Sequence, residues 1–432
     1  MNISVIGTGY VGLGTAAVFA ELGNDVIGTD IDKAKVEKLN KGIMPIFEPG
    51  LKEIVIRNAK EGRLKFIHDN KEAIKHGEVI FICVGTPPKD NWETELKYVE
   101  DVAKEIAENM DSYKVIVHKS TVPVETGEKV KEIIKKHLKS NVEFDVVSNP
   151  EFLREGTAIS DTLEPDRIVI GAESEKSIEV MKKVYSPIKS TLIITDIKSA
   201  ELIKHASNAF LATKISFINA IAQICEKSGA DVEKVAEGMG YDKRIGRSFL
   251  NAGIGYGGFC FPKDVQAFIK IAENYGYDFS LLKATNDINE NQKKKFVDRI
   301  KNKLGNINGK TIGILGLSFK PNTDDMRFAP SEYIINELQK ERAKIRAYDP
   351  EAMERAKEIL KDVEYCDDPY DAVKGADVLL ILTEWNEFKE LDLEKIKSLM
   401  KAPIIFDGRN VYNPNDMQKA GFSYVSMGRK EV

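Results

Sequence analysis

The order of apolar and polar residues along the chain predicts an α/β protein. Short apolar runs indicate buried strands, and they occur at residues 2–7, 26–30, 79–84, 115–118 and 144–148. Helical apolar spacing follows the first run, over residues 14–22. Because buried strands that alternate with helices form parallel sheets covered on both faces, this half of the chain is expected to be a doubly wound domain.

A long helical period then interrupts the alternation. Apolar residues recur at helical spacing from Ala200 to Lys227 and cover a wide face. Such a helix predicts a spine between two domains, and its wide apolar face favours additional burial by a partner. Lys204 and Asn208 lie four residues apart and share one face. They form either an exposed polar stripe or, given the apolar stretch that follows, an inward-facing pair.

The strand pattern returns in the last third of the chain. Residues 311–316 and 344–349 repeat the first two strands, and residues 371–382 repeat the pattern of residues 72–83 without a gap. The sequence therefore predicts two Rossmann-like doubly wound domains joined by a central helical domain with a long spine helix. The expected domain boundaries are 1–198, 199–305 and 306–432.

The first predicted strand ends in a glycine pattern that favours dinucleotide binding. Gly7, Gly9 and Gly12 form G-x-G-x-x-G between a strand and a helix, and Asp30 ends the next strand. The glycines let a pyrophosphate meet the helix N-terminus, and Asp30 can bind the ribose hydroxyls. A carboxylate there repels a 2′-phosphate, which predicts NAD rather than NADP. Lys35 is either a further contact or a solvated surface residue.

Polar residues follow three of the predicted strands. In open parallel sheets, ligands bind beyond the carboxyl ends of the strands. The residues at these ends are Gly85, Thr86, Thr121, Glu151 and Glu155. Each could be a local cap, but three such loops at one sheet edge favour a site.

A glycine-rich loop leads into the candidate nucleophile. Four glycines between Gly253 and Gly258 precede Cys260, and helical spacing from Lys263 to Tyr275 places this cysteine just ahead of a helix N-terminus. That end of a helix favours thiolate over thiol. The glycines and the charged neighbours Lys263 and Asp264 favour a nucleophile over a buried, inert cysteine.

Two cations lie on a loop of the second α/β unit. Gly316 ends a strand without a following G-x-G-x-x-G, and Lys320 and Arg327 come shortly after it. Cations at this edge suit a phosphate-bearing ligand. An exposed loop pair fits the sequence equally well.

Composition narrows the function class. The 432 residues carry a net charge of −5, which gives no basic surplus for nucleic acid, and no apolar run approaches the roughly 20 residues that span a membrane. We expect no signal peptide. The four separated cysteines indicate a reducing cytoplasm, and the five histidines lack metal-ligand spacing, so no metal is expected.

The predicted parts together favour oxidation beyond an aldehyde. A dinucleotide domain implies hydride transfer, and a nearby nucleophilic cysteine implies a covalent carbonyl intermediate. The reaction also needs a base, a water-activating carboxylate and oxyanion donors. Asp264, Glu151, Lys204 and Asn208 are residues of these types. Two nucleotide-like domains further imply that the alcohol is carried on a second nucleotide.

Several long motifs, in order, resemble those of the nucleotide-sugar dehydrogenases, the UDP-glucose/GDP-mannose dehydrogenase family. They are Gly-Tyr-Val-Gly at 9–12, Gly-Thr-Pro at 85–87, Ser-Thr-Val-Pro at 120–123, Asn-Pro-Glu-Phe-Leu-Arg-Glu-Gly at 149–156, the segment 249–264 and the segment 319–327. The resemblance covers nearly the whole chain.

The resemblance implies the conversion of UDP-glucose, two NAD and water to UDP-glucuronate and two NADH. Cys260 would be the nucleophile that forms the thiohemiacetal and thioester. Lys204 and Asn208 would stabilise oxyanions. Asp264, with Thr121 and Glu151, would manage protons and the hydrolytic water.

The resemblance also assigns binding residues. Those implied for the cofactor are Gly7, Gly9, Tyr10, Val11, Gly12, Asp30, Lys35, Gly85, Thr86, Thr121, Glu155, Lys263 and Arg327. Those implied for the nucleotide sugar are Glu151, Phe152, Leu153, Lys204, Asn208, Phe249, Asn251, Gly257 and Lys320. Arg244 would reach the substrate from a neighbouring subunit, which implies a homodimer or a higher homo-oligomer.

One position departs from the family pattern, and three other readings stay open. Phe259 stands where the family usually has Ser, in a neighbourhood that varies among relatives using GDP-mannose or UDP-N-acetyl sugars. The same chemistry on one of those sugars is the first alternative. A single-step β-hydroxyacid dehydrogenase with a structural Cys260 is the second, and a non-catalytic NAD or nucleotide-sugar sensor is the third.

Overall fold

The computed structural model describes residues 1–432, which form two compact units. The first unit is Met1–Ser207 with Lys270–Gly276, and the second is Asn208–Ile269 with Tyr277–Val432. Each α/β part of the chain contains a parallel, Rossmann-like sheet, as the sequence predicts. None of the helices has both the length and the apolar character needed to cross a membrane.

The first unit is built on an eight-stranded sheet in the order β3-β2-β1-β4-β5-β6-β7-β8. Its strands are β1 (Asn2–Ile6), β2 (Asp25–Thr29), β3 (Leu64–Ile67), β4 (Val79–Ile82), β5 (Lys114–His118), β6 (Phe144–Ser148), β7 (Arg167–Gly171) and β8 (Thr191–Thr195). All neighbours run parallel except β6 and β7, which meet antiparallel at Ser148 and Gly171. The five strands predicted for this region are confirmed within two residues.

Eight helices flank this sheet. They are α1 (Tyr10–Glu21), α2 (Lys33–Asn40), α3 (Leu51–Lys60), α4 (Asn70–His76), α5 (Lys97–Asn109), α6 (Thr126–His137), α7 (Ala158–Leu163) and α8 (Glu175–Tyr185). Apolar side chains of the central strands point alternately to two cores. Phe81 and Val117 lie in one core, and Ile80 and Ile116 lie in the other. The strands are therefore buried on both faces, which explains their continuous apolar runs.

Four helices follow in the middle of the chain: α9 (Ile197–Ser228), α10 (Val232–Gly240), α11 (Cys260–Asn274) and α12 (Ser280–Leu304). The predicted spine helix is confirmed in α9, which begins three residues earlier than the apolar period. The predicted start of α11 was wrong, because Cys260 is its first residue rather than a residue ahead of it. Pro262 fits inside the first turn because N–H groups there have no intrahelical partner.

The second unit contains a six-stranded sheet in the order β11-β10-β9-β12-β13-β14, and every pair is parallel. Its strands are β9 (Thr311–Leu315), β10 (Lys344–Tyr348), β11 (Val363–Tyr365), β12 (Val378–Ile381), β13 (Ile404–Asp407) and β14 (Ser423–Ser426). Its helices are α13 (Pro330–Lys340), α14 (Met353–Ile359), α15 (Pro369–Val373), α16 (Asn386–Lys389), α17 (Leu393–Leu399) and α18 (Pro414–Lys419).

The internal repeat is visible in the backbone of the two sheets. Gly7 has φ +96° and donates its N–H to Thr29, and Gly316 has φ +94° and donates its N–H to Tyr348. β4 and β12 lie beside β1 and β9 respectively, as the repeat of residues 72–83 in residues 371–382 predicts. The two turns after the first strands therefore have the same geometry, although only the first carries the full glycine pattern.

Candidate active site

The turn after β1 has room for a ligand and none for side chains. A Cβ at Gly7 would lie 2.8 Å from the carbonyl oxygen of Cys83, and a Cβ at Gly12 would lie 1.8 Å from that of Gly7. Gly9 faces open space and gives α1 no side-chain cap. Tyr10 and Val11 form the first turn of α1. This uncapped helix end can accept a pyrophosphate through its N–H groups.

Asp30 is fixed beside that turn. One carboxylate oxygen accepts hydrogen bonds from the N–H and the hydroxyl of Thr8 and from Lys35, whose Nζ is 2.7 Å away. The other oxygen accepts from the N–H of Asp32. Burial works to raise the pKa of Asp30, but these hydrogen bonds outweigh it and lower that pKa. Asp30 therefore stays charged, and Lys35 contacts it rather than pointing into solvent.

The loops after β4 and β5 are bonded to each other. Thr86 donates its hydroxyl to the carbonyl of Thr121 at 3.0 Å, and Ser120 donates its hydroxyl to the carbonyl of Val84 at 2.7 Å. Gly85 is exposed, Thr86 is buried and Thr121 is partly exposed. Two of the three strand ends that were predicted to converge are thus in contact within the first unit.

Glu151 and Lys204 form a buried ion pair. Nζ of Lys204 lies 3.0 Å from Oε1 of Glu151, and both side chains are almost fully buried. The other oxygen of Glu151 accepts the N–H of Leu153. The ring of Phe152 lies under two cations, with Arg167 3.7 Å and Lys204 5.4 Å from its centre. Lys204 therefore faces inward, which settles one alternative that the sequence left open.

Sequence reasoning missed several residues that hold this edge of the sheet. Glu48 is buried and accepts the N–H groups of Gly156 and Ala158, which fixes the loop that carries Glu155. Lys119 is buried and donates to Asn149. No local pattern marks Glu48, because its partners lie more than a hundred residues away.

In the second unit, Cys260 begins the helix that carries Lys263 and Asp264. Nζ of Lys263 lies 2.6 Å from Oδ1 of Asp264, and Asn208 of α9 donates its amide to Oδ2 of Asp264 at 2.6 Å. These three side chains are buried, whereas Cys260 is partly exposed. No disulfide bond joins any two of the four cysteines, and Cys83, Cys225 and Cys366 are buried. The exposure of Cys260 fits a reactive thiol.

The glycine loop before Cys260 packs closely against protein. A Cβ at Gly257 would lie 2.4 Å from the carbonyl oxygen of Phe328, and one at Gly258 would lie 2.7 Å from the ring of Phe319. Asn289 bonds both the N–H and the carbonyl of Tyr256. Close packing, rather than the approach of a ligand alone, therefore requires glycine here.

Arg327 lies between an acid and an aromatic ring. Its Nε and Nη2 pair with the carboxylate of Asp325, and its guanidinium carbon lies 4.4 Å from the ring centre of Phe259. Lys263 lies 5.5 Å from the same ring centre. The unusual Phe259 therefore contacts both cations that the resemblance assigns to the cofactor.

The other residues predicted to bind substrate have varied settings. Lys320 lies over the ring of Phe319. Phe249 adopts φ +65°, a left-handed conformation that is strained for its side chain, and Asn251 accepts a hydrogen bond from Arg247. Arg244 is 89% exposed at its side chain and pairs with Asp242. An exposed Arg244 is compatible with a role in another subunit.

Asp349 directly follows β10, as Asp30 directly follows β2. Its oxygens accept hydrogen bonds from Leu317, Ser318, Glu351, Ala352 and the indole N–H of Trp385. Unlike Asp30, it is completely buried. Asp349 therefore binds the turn that follows β9, through Leu317 and Ser318.

Comparison with known families accounts for most of the chain. Residues 1–189 match the NAD binding domain of the UDP-glucose/GDP-mannose dehydrogenase family, residues 198–291 match its central domain, and residues 313–414 match its UDP binding domain.

Individual relatives are similar over all or nearly all of their length. The UDP-glucose 6-dehydrogenase TuaD of Bacillus subtilis (strain 168) is 51% identical over 432 residues, which cover 100% of this chain and 94% of the relative. A UDP-glucose dehydrogenase structure from the archaeon Pyrobaculum islandicum has a TM-score of 0.93 and 38% identity, covering 100% of this chain and 98% of that one. A UDP-D-ManNAc dehydrogenase structure from Pyrococcus horikoshii has a TM-score of 0.88 and 30% identity, with full coverage of both chains.

Proposed function

Because the chain belongs to the UDP-glucose/GDP-mannose dehydrogenase family, we propose that it oxidises the C6 alcohol of UDP-glucose to the carboxylate of UDP-glucuronate. The chain is an NAD-dependent dehydrogenase whose NAD binding domain is residues 1–189. The reaction consumes two NAD and one water for each sugar and yields two NADH. One observation carries the four-electron proposal: Cys260 is a partly exposed cysteine in the first turn of α11.

The first unit fits the cofactor. Within the Gly7–Gly12 turn, Gly9 faces open space, and α1 has no side-chain cap at its N-terminus. Asp30 would bind the adenosine ribose. We assign Gly85, Thr86, Thr121, Glu155, Lys263 and Arg327 to the rest of the cofactor. When bound, NAD supplies the hydride acceptor for each oxidation.

The protein residues supply the covalent and proton-transfer chemistry. The thiolate of Cys260 attacks the aldehyde carbon, and the oxygen takes up a proton to complete the thiohemiacetal. Oxidation of this adduct leaves a thioester on Cys260. Water then attacks the thioester carbon, the C–S bond breaks, the acid is released and Cys260 regains its thiol.

The two buried pairs give each oxyanion donor a carboxylate neighbour. Lys204 pairs with Glu151, and Asn208 bonds Asp264. We propose that Lys204 and Asn208 stabilise negative charge on the reacting oxygen. Glu151 and Asp264, with the hydroxyl of Thr121, exchange protons with the substrate and the hydrolytic water.

UDP-glucose is the favoured substrate within the class. The UDP binding domain match includes Lys320, to which we assign the diphosphate, and the relative with 51% identity is a UDP-glucose 6-dehydrogenase. Phe152, Leu153, Phe249, Asn251 and Gly257 are proposed sugar and nucleotide contacts. The similarity to a UDP-D-ManNAc dehydrogenase keeps UDP-N-acetylhexosamines as the second candidate.

We further propose that the enzyme acts in the cytoplasm as a homodimer joined along α9. Phe210, Phe217 and Ile224 follow one another at seven-residue intervals on this helix and are all exposed. A helix with such a stripe is suited to pack against another copy. Arg244 would then act on the substrate of the partner subunit.

Turnover on purified nucleotide sugars tests the function. We expect kcat/KM to be highest for UDP-glucose among UDP-glucose, GDP-mannose, UDP-N-acetylglucosamine and UDP-N-acetylmannosamine, with two NADH formed per sugar consumed. A single NADH per sugar would favour the one-step β-hydroxyacid dehydrogenase. Binding of NAD and UDP-glucose without turnover would favour the sensor, and either outcome would overturn the proposal.

A further inference from the structure

The first turns of α9 carry four buried polar residues on one face. Glu201, Lys204, His205 and Asn208 follow the helical spacing of three and four residues, and each is at most 6% exposed. Lys204 and Asn208 belong to the proposed catalytic set. Glu201 and His205 have no part in it, yet burying polar groups is costly unless they are bonded.

Glu201 binds the N-terminus of α6. Its Oε1 accepts the N–H of Gly127 and its Oε2 accepts the N–H of Glu125, both at 2.8 Å. α6 has no side-chain cap of its own, because Glu125 at its N-cap adopts φ +77° and does not bond the helix. A carboxylate from another helix therefore satisfies N–H groups that would otherwise lack protein partners.

His205 binds the same segment closer to Thr121. Its Nε2 lies 2.9 Å from the carbonyl oxygen of Val122. Because a carbonyl oxygen can only accept, Nε2 carries the proton. The bond is buried and joins residues 83 positions apart in sequence. The residue that follows Thr121 is thus tied to the residue that follows Lys204.

The helix and the segment also approach too closely for any side chain at Gly127. A Cβ there would lie 2.5 Å from Cγ2 of Ile197 and 3.4 Å from Oε1 of Glu201. Three neighbouring contacts therefore hold residues 119–127, here called the Thr121 segment, against α9. Two are hydrogen-bonded and one is steric.

We propose that Glu201 and His205 are positioning residues that fix Thr121 relative to Lys204. Thr121 lies on the segment and Lys204 lies on the helix, between the two side chains that join them. Lys204 is in turn held by Glu151. These two side chains are here called the clamp. Loss of either one lets the Thr121 segment move, while the fold and the nucleotide-sugar residues of the second unit stay unchanged. This inference rests on the proposed roles of Thr121 and Lys204.

Two pairs of substitutions distinguish the loss of the clamp's hydrogen bonds from a general loss of folding stability. Glu201→Ala removes both acceptors, whereas Glu201→Gln keeps one. His205→Leu removes the donor, whereas His205→Gln offers a donor near the position of Nε2. Glu128→Gln is the matched control, because it makes the same charge change on the first turn of α6 but at a half-exposed side chain paired with Lys198.

The measurements are made at pH 8.5. Burial raises the pKa of Glu201 to about 7 against the effect of its two N–H bonds, so the carboxyl group is ionised at that pH. Hydrogen exchange of the Glu125 and Gly127 amides should be at least about 10-fold faster in Glu201→Ala, and closer to the parent in Glu201→Gln. Melting temperatures should show that each variant is folded.

Steady-state kinetics provide the second readout. We expect kcat to fall roughly 10- to 100-fold in Glu201→Ala and His205→Leu, the size of a small misplacement of a reacting group. The Gln variants should recover most of this loss, and KM for UDP-glucose should change less than about twofold. Glu128→Gln should match the parent in both readouts.

The outcomes distinguish the two proposals. Unchanged amide exchange in both Glu201→Ala and His205→Leu would overturn the clamp, and this readout needs no turnover. Fast exchange with parental kcat would overturn the positioning role. A parent protein that oxidises no nucleotide sugar would instead overturn the proposed function, while the exchange data would still report on the clamp.

Discussion

Asn208 donates its side-chain amide to Asp264 at 2.6 Å, and this bond joins α9 to α11 four residues after Cys260. Lys263 lies 2.6 Å from the other oxygen of the same carboxylate. Both oxygens of Asp264 are therefore engaged, which fixes the carboxylate in one orientation. A group intended to exchange protons at a defined atom benefits from such fixed geometry.

A double-mutant cycle on this pair should reveal coupling. Asn208→Ala and Asp264→Ala should each lower kcat/KM, and the double variant should lose less than the sum. The expected coupling is about 1.5–3 kcal/mol, the range for hydrogen bonds to charged groups. Thr213→Ala, on the same helix but bonded to the carbonyl of Ala209, should be additive with Asp264→Ala. Additivity in the first cycle would show that the bond has no catalytic role.

Replacement of Cys260 should separate binding from acid formation. Cys260→Ser keeps the size of the side chain but replaces the strong thiolate nucleophile with a hydroxyl. We expect turnover to fall by several orders of magnitude while NAD and UDP-glucose still bind, as measured by calorimetric titration. Cys225→Ala, which alters a buried cysteine of α9, is the control and should stay active. Near-parental acid formation by Cys260→Ser would exclude the covalent mechanism.

Asp30 should control the choice of cofactor. Its carboxylate repels a 2′-phosphate and also neutralises Lys35, whose Nζ is 2.7 Å away. Asp30→Ala should therefore weaken NAD binding and leave Lys35 available to attract NADP. The ratio of kcat/KM for the two cofactors measures the change. Asp32→Ala, which removes the N-cap of α2, should not alter that ratio. Efficient use of NADP by the parent would contradict the assignment.

Mixed subunits should test whether Arg244 acts across a dimer. Arg244→Ala should raise KM for UDP-glucose far more than KM for NAD, because a lost hydrogen bond to a charged group costs about 1.5–3 kcal/mol. If Arg244 serves the partner's site, a mixture with Cys260→Ser contains dimers with one intact site, and activity should reappear. If both residues act within one chain, no mixing ratio can restore activity.

Much of this architecture could be predicted because it depends on local patterns. The strand runs, the G-x-G-x-x-G turn, the spine helix and the repeat of residues 72–83 are all readable within short windows. The start of α11 was misjudged because the readable helical spacing begins at Lys263, just after Pro262, whereas the helix begins two residues before this proline. Proline is tolerated throughout the first turn, so it does not identify the first residue.

The partners within the site could not be predicted in the same way. Helical spacing placed Lys204 and Asn208 on one face, but nothing local indicated that Glu151 would pair with one and Asp264 with the other. The clamp at Glu201 depends on a segment more than seventy residues earlier. Such contacts follow from tertiary packing, which one sequence does not reveal.

Asp349 should matter more for stability than Asp30 does, because it is buried and accepts hydrogen bonds from four backbone N–H groups as well as from Trp385. Asp349→Ala leaves several buried N–H groups without an acceptor and should lower the stability of the second unit by about 3 kcal/mol or more. Trp385, which donates to Asp349, is a fluorescent reporter of this loss during urea unfolding. A Trp92→Phe background removes the only other tryptophan. Asp30→Ala is the matched control, and an equal effect of both substitutions would contradict the distinction.

The burial of Asp349 also bears on how many NAD molecules one chain binds. Two copies of one architecture suggest two dinucleotides per chain, and an acidic residue after the second strand of each copy reinforces that count. In the second copy, however, Asp349 is buried, and its oxygens bond Trp385 as well as the backbone, so they are not open to a ribose as those of Asp30 are. Equilibrium titration should therefore find one NAD per polypeptide, because a duplicated fold does not by itself duplicate its ligand.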